Sequence, residues 1–250
     1  MRDMIARSDK FVWSFRGTLA WSVALFVVMA AVGVVLVFVF TVAYEIGPRE
    51  VAERVNPALL SSLASVAALA PLCLVIWLAT RRAHQDFGDY LALRRPSPKH
   101  WVAGLLAITG LLLLLDTAAR LMNQPVTSAI LVEGVRRDSS AAMLALMALS
   151  LVVTTPVGEE LVFRGFIYRG FAASPLGPAG AVVVSSLLFT VLHVQYDLVG
   201  LGEVLASGLV LGLMRAVSGS TLLTIAMHAL VNAVSLIEAV SAAGVVDTTR

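Results

Sequence analysis

Six polar side chains interrupt the apolar stretches in the C-terminal half of this 250-residue chain: Glu159, Glu160, Arg164, His193, His228 and Asn232. An ionisable group within a bilayer costs roughly 2.5–3.5 kcal/mol even on the lenient insertion scale. Six such groups make a poor passive anchor. Their types (two carboxylates, two imidazoles, a guanidinium and an amide) suit the hydrolysis of an amide bond.

The spacing sorts them into three patterns. Glu160 and Arg164 are four apart, share a helix face and can pair. Glu159 is rotated by about 100° from that face and is left for another task. Phe189 and His193 repeat the spacing of four, as do His228 and Asn232, which puts each pair on one helix face. Hydrolysis in a dry site needs a base, and a carboxylate made more basic by burial can serve. A neutral imidazole can hold the same water. His228 and Asn232 can donate to the oxyanion of the tetrahedral intermediate. Of the four histidines, His84 and His100 fall in a polar connection and read as surface residues.

These side chains must be carried by membrane helices. The chain is 59% hydrophobic and 14% charged, with a mean hydropathy of +0.90; soluble domains carry about 25% charge. The expected fold is all-α, a polytopic transmembrane bundle of seven to eight spanning helices in a single domain over 1–250. Spans are expected at 18–44, 57–80, 101–121, 141–171, 179–196, 198–217 and 220–241, each near the ~20 residues that cross hydrocarbon. The run from Thr18 to Tyr44 is too long for a signal-peptide core, so no cleavable signal is expected. Segment 1–17, with Phe11, Val12, Trp13 and Phe15 among bases, reads as a cytoplasmic interfacial lead-in.

Lys and Arg placement favours a cytoplasmic N-terminus, and a bacterial source would make the membrane the plasma membrane. Arg169 and Arg215 count toward that side. Depths along the helices place the polar site nearer the cytoplasm. The net charge of +2 gives no ground for nucleic acid as a partner. The lone cysteine, Cys73, reads as a packing residue and permits no internal disulfide. Asp116 and Arg120 are expected to pair locally; Glu203 and Glu238 fall near helix ends.

Glu-Glu-x-x-x-Arg, Phe-x-x-x-His and His-x-x-x-Asn, in that order over residues 141–241, resemble the CAAX prenyl endopeptidase and bacteriocin-processing (CPBP, or ABI) family of intramembrane proteases. The resemblance implies that Glu159 activates water with help from His193, and that His228 and Asn232 stabilise the oxyanion. It implies that Glu160 and Arg164 support or orient, and that Phe189 shapes the pocket wall. The implied partners are the lipid bilayer and a peptide or protein substrate, lipid-modified in the prenyl-processing branch, cut near its C-terminus. Entry is expected from the membrane or the cytoplasmic side.

Other readings use the same residues. Glu159, His193 and His228 are a His₂Glu set of the kind zinc accepts, with a fourth position for water, although no His-Glu-x-x-His helix is present. Buried Glu and His also build proton relays in transporters, but no repeated halves are visible. A non-catalytic binding or immunity scaffold is the third alternative. Glu160 with Arg164 also fits a purely structural ion pair. His193 and Asn232 also fit interhelical bridges, and Phe189 fits core packing.

Overall fold

Helix follows helix through residues 12–245, the part that the computed structural model describes, and no strand occurs among them. The long elements are α1 (Phe15–Tyr44), α3 (Pro57–Arg82), α5 (Pro98–Leu121), α7 (Ala141–Ala172), α9 (Leu198–Ser218) and α10 (Thr221–Ala242). Short helices α2 (Pro48–Arg54), α4 (Phe87–Tyr90) and α6 (Ala129–Arg137) lie in the connections, and α8 (Gly177–Val191) is of intermediate length. Six helices are long and apolar enough to cross a membrane. The protein is an integral membrane helical bundle.

The helix starts follow from local chemistry. Ser14, Asn56, Ser140, Asp197 and Ser220 each accept a main-chain N–H of the first turn that follows, satisfying donors that the helix itself cannot. Pro57 and Pro98 stand at first positions, where a missing N–H costs nothing. Gly219 ends α9 in the left-handed conformation, φ +66°, a place that favours glycine.

One expected span is corrected. The apolar run 179–196 is not all helix: α8 stops at Val191, and residues 192–197 form a connection. Its 15 residues reach about 22 Å, short of the ~30 Å of hydrocarbon. His193 therefore lies on a loop rather than inside a spanning helix. Of the lead-in, residues 1–11 lie outside the described part, Phe11 among them. Trp13 donates its indole N–H to the Ala79 carbonyl at 3.1 Å, and Phe15 stacks on Phe171.

With α8 counted among them, successive long helices alternate in direction, which gives the bundle two ends. Residues 12–14, 83–97, 173–176 and 219–220 form one end; residues 45–56, 122–140, 192–197 and 243–245 form the other. The second half of α7 is the central element. Leu161, Val162, Phe163, Gly165, Phe166 and Ile167 are all buried, as apolar residues on every face of a helix require, and Arg164 is buried among them. Outer helices turn Val34, Val35, Phe38, Leu106, Leu113 and Leu114 outward, toward lipid. Cys73 is half-buried against the main core, as a packing residue would be.

Helix α7 is not uniform. It widens into π-helical turns at Leu149–Thr154 and Leu161–Ile167, on either side of a short α segment, Thr155–Glu160. The N–H of Thr155 bonds Ser150 O, and that of Tyr168 bonds Phe163 O, each five residues back. Such turns are rare and recur at functional sites. Ser65 on α3 braces the first of them, 2.8 Å from the Thr154 hydroxyl and 2.7 Å from that of Thr155.

Candidate active site

The buried pair comes first. Arg164 donates to Glu160 Oε1 at 2.7 Å, and neither side chain has any exposed surface. A second Arg164 nitrogen donates to the Gly208 carbonyl at 3.0 Å. The guanidinium sits over the Phe189 ring, 4.7 Å from its centroid. Glycine at 208 eases the close approach of α9, since a Cβ there would meet Ser186 Cβ at a tight 3.3 Å and touch the Arg164 guanidinium at 3.5 Å.

Glu160 Oε1 has a second partner, His228 Nδ1 on α10, at 3.0 Å. A carboxylate can only accept, so Nδ1 carries the proton. This fixes the ring and turns Nε2 toward Glu159, whose Oε2 lies 3.7 Å away. That oxygen is buried and has no hydrogen-bond partner among the described residues. Glu160 thus does more than neutralise Arg164: it also orients the imidazole beside Glu159.

Phe189 links the two histidines. Its ring is 4.6 Å from the His193 ring and 5.8 Å, edge-on, from the His228 ring. His193 Nδ1 donates to the Phe189 carbonyl at 2.8 Å, which leaves Nε2 as its acceptor nitrogen. Tyr196 stacks against His193 at 6.0 Å. Burial pushes the Tyr196 phenol above its usual range, a Ser128 hydrogen bond partly opposes this, and the charges of Glu159 and Glu203 add to it.

Asn232 is placed by a defect in α7. Because Thr155 N–H bonds Ser150 O, the Leu151 carbonyl lacks its usual α-helical donor. The next main-chain nitrogen in line belongs to Pro156, which has no N–H. The Asn232 Nδ2 fills the gap, donating to Leu151 O at 2.8 Å. Its second N–H remains available.

His193, His228, Asn232 and Phe189 line one cavity of about 560 Å³, between α5, α6, α9, α10 and the 192–197 loop. Glu159 is not among its lining residues and meets it through His228. Sequence reasoning missed Tyr196 and Asp197, both on the lining; the signal was their position as the one polar break between two apolar runs. Glu203 and Glu238, near helix ends in the sequence, also line the cavity. Asp116 pairs with Arg120 at 3.1 Å as expected and also lines the cavity. Arg215 is not a cytoplasmic surface residue: it is buried, lies over the Tyr168 ring and donates to the Arg164 carbonyl at 3.0 Å.

Among the described residues, no three His, Cys, Asp or Glu side chains converge as a metal site requires. Glu159 and His228 are neighbours, while His193 stands beside Phe189 on the 192–197 loop. The side chains as placed do not form the three-ligand zinc arrangement.

Residues 141–234 match the family model described as Rce1-like, type II CAAX prenyl endopeptidase. The match starts at the first residue of α7, ends within α10 and contains all seven side chains read from the motifs. An uncharacterized 24.3 kDa protein of Escherichia coli is 28% identical over 131 residues, which cover 51% of this chain and 58% of that protein. No solved structure matches the chain.

Proposed function

We propose that the protein is an intramembrane endopeptidase of the CAAX prenyl protease type, in which Glu159 and His228 activate water for attack on a peptide carbonyl. One observation carries this reading. His228 is held between two carboxylates, with Nδ1 fixed by Glu160 and Nε2 beside the hydrogen-bond-free oxygen of Glu159.

The steps balance within these side chains. Glu159 takes a proton from water, and the resulting hydroxide attacks the scissile carbonyl. The second N–H of Asn232 donates to the developing oxyanion. Glu159 then returns the proton to the leaving amine, and the C–N bond breaks. His193 Nε2 accepts from water or from the substrate main chain. The substrate is a peptide or protein held at the membrane, cut near its C-terminus, with prenylated proteins as the first class to try.

The test is cleavage of a prenylated CAAX-type peptide by purified protein. Wild type, Glu159→Ala, and wild type with a strong chelator are compared by mass spectrometry of the products. Cutting that is lost in the variant and kept with chelator supports the side-chain mechanism. Loss in both arms favours a metal held by Glu159 and the histidines. A binding scaffold or a transporter would cut nothing in any arm.

A further inference from the structure

Resting on the peptidase reading, we propose that Tyr196 is a positioning residue for His193. Its ring backs the imidazole, and its hydroxyl, bonded to Ser128, ties the 192–197 loop to the start of α6.

His193 needs support that His228 does not. His228 stands on α10 and is fixed by the buried carboxylate of Glu160. His193 follows the end of α8 and stands on a connection. Among the described residues, the main-chain hydrogen bonds of 192–197 reach only α8, α9 or the segment itself. The bond from His193 Nδ1 goes to Phe189 O, in the last turn of the same α8. None of these ties the loop to α6. A side chain on a loop is placed less precisely than one on a helix, and a misplacement of about 1 Å costs up to about 10²-fold in rate.

Tyr196 supplies the missing tie. Of residues 192–197, only His193 and Tyr196 are withdrawn from the surface. Their rings lie 6.0 Å apart with 27° between the planes, within the range of favourable aromatic pairing. The Tyr196 N–H donates to the His193 carbonyl at 3.1 Å, so the backbone between them closes into a turn. The Tyr196 phenol and the Ser128 hydroxyl share a hydrogen bond. Ser128 is the N-cap residue of α6, where a serine oxygen commonly accepts from the first turn, yet its side chain makes no capping bond. The hydroxyl serves Tyr196 instead. Tyr196, Ser128 and His193 all line the cavity.

Gly200 completes the seat. It lies in the first turn of α9, and a Cβ there would meet Tyr196 Cδ1 at 2.9 Å and Tyr196 Cβ at 3.0 Å. Asp197 accepts from the Gly200 N–H at 2.9 Å, so α9 begins directly beside the ring. Held from α6 and α9, the ring keeps His193 Nδ1 on the Phe189 carbonyl and leaves Nε2 to accept from water or substrate.

Nitrogen-15 labelling of histidine, on the whole chain in detergent, tests the inference. The ring signals of His193, assigned with a His193→Gln control, report which nitrogen carries the proton. In wild type the Nδ1–H form is expected. Tyr196→Leu should mix the two neutral forms and lower kcat by about 10- to 100-fold with KM little changed. Tyr196→Phe keeps the ring, so it should restore the His193 signal and leave kcat down by only about fivefold, as for one lost hydrogen bond. Ser128→Ala should match Tyr196→Phe, and the two together should add nothing further. Gly200→Ala should displace the ring and move the His193 signal in the same direction as Tyr196→Leu. An unchanged His193 signal in Tyr196→Leu overturns the inference, as does a kcat equal to that of wild type. Full additivity of Tyr196→Phe and Ser128→Ala overturns the link through Ser128. If wild type cuts no peptide, the peptidase reading fails, while the nitrogen signals still decide whether Tyr196 holds the imidazole.

Discussion

Oε1 of Glu160 accepts two hydrogen bonds at once, from Arg164 at 2.7 Å and from His228 Nδ1 at 3.0 Å, with no exposed surface on the glutamate. The carboxylate therefore joins the core of α7 to α10 and sets the direction of the imidazole. Glu160→Ala leaves Arg164 charged and unpaired in the interior, which costs about 3–5 kcal/mol. Replacing both residues, Glu160→Met with Arg164→Met, should recover most of that stability without recovering activity. Thermal unfolding in detergent, read beside peptide cleavage, checks both statements.

Asn232 and Pro156 are coupled through one carbonyl. Asn232→Ala strands Leu151 O and should destabilise by about 1–3 kcal/mol. Pro156→Ala supplies a main-chain N–H in line with that carbonyl. The double variant should then be more stable than Asn232→Ala alone. If the second amide N–H serves the oxyanion, the double variant stays slow. A double-mutant cycle in unfolding temperature, with kcat measured on the same four proteins, separates the two roles.

Gly208 is where α9 approaches Arg164. Gly208→Leu drives a side chain into the space of the guanidinium and Ser186, and overpacking of this kind costs about 1–3 kcal/mol. Because Arg164 holds Glu160, which holds His228, cleavage should fall more than stability does. Gly208→Ala, with a Cβ only 3.3 Å from Ser186 Cβ, should lie between the two. Cleavage rates plotted against unfolding temperature for the three proteins show whether activity drops beyond what stability explains.

Tyr90, in the 83–97 connection, gives a pH signature. Burial pushes its phenol up to about 12, partly opposed by a Trp13 main-chain hydrogen bond and by the charge of Arg169. The folded pKa lies above the ordinary value of 10.0, so the folded state binds this proton more tightly than the unfolded state does. Its contribution is complete below pH 10.0 and is lost as pH rises toward about 12. Tyr90→Phe should flatten that part of the profile. Unfolding temperature followed across the alkaline range, for wild type and variant, is the check.

The long helices were legible because about 20 apolar residues mean one span wherever they occur. The Glu160–Arg164 and Asp116–Arg120 pairs were legible because spacing of four is a local property of a helix. What stayed hidden depended on tertiary partners. Hydropathy alone cannot tell a helix that ends at Val191 from one that continues, because Leu192, Val194 and the residues before them are equally apolar. The first π turn of α7 stands where Pro156 withholds a donor and Ser65 and Asn232 supply partners from other helices. Arg215 reads as a topology signal in the sequence, yet carbonyl and ring contacts draw it inside. The cavity is a property of five elements together, and no motif encodes it.

The most direct measurement compares peptide cleavage by wild type and Glu159→Gln, with the unfolding temperature of each taken on the same preparation. Glutamine keeps the shape of the side chain and removes its basicity. The expected result is an unfolding temperature close to wild type and a rate lower by at least about 10²-fold, as for loss of a general base. A Glu159→Gln protein that is equally folded and cuts at the wild-type rate would contradict the assignment of water activation to Glu159 and His228.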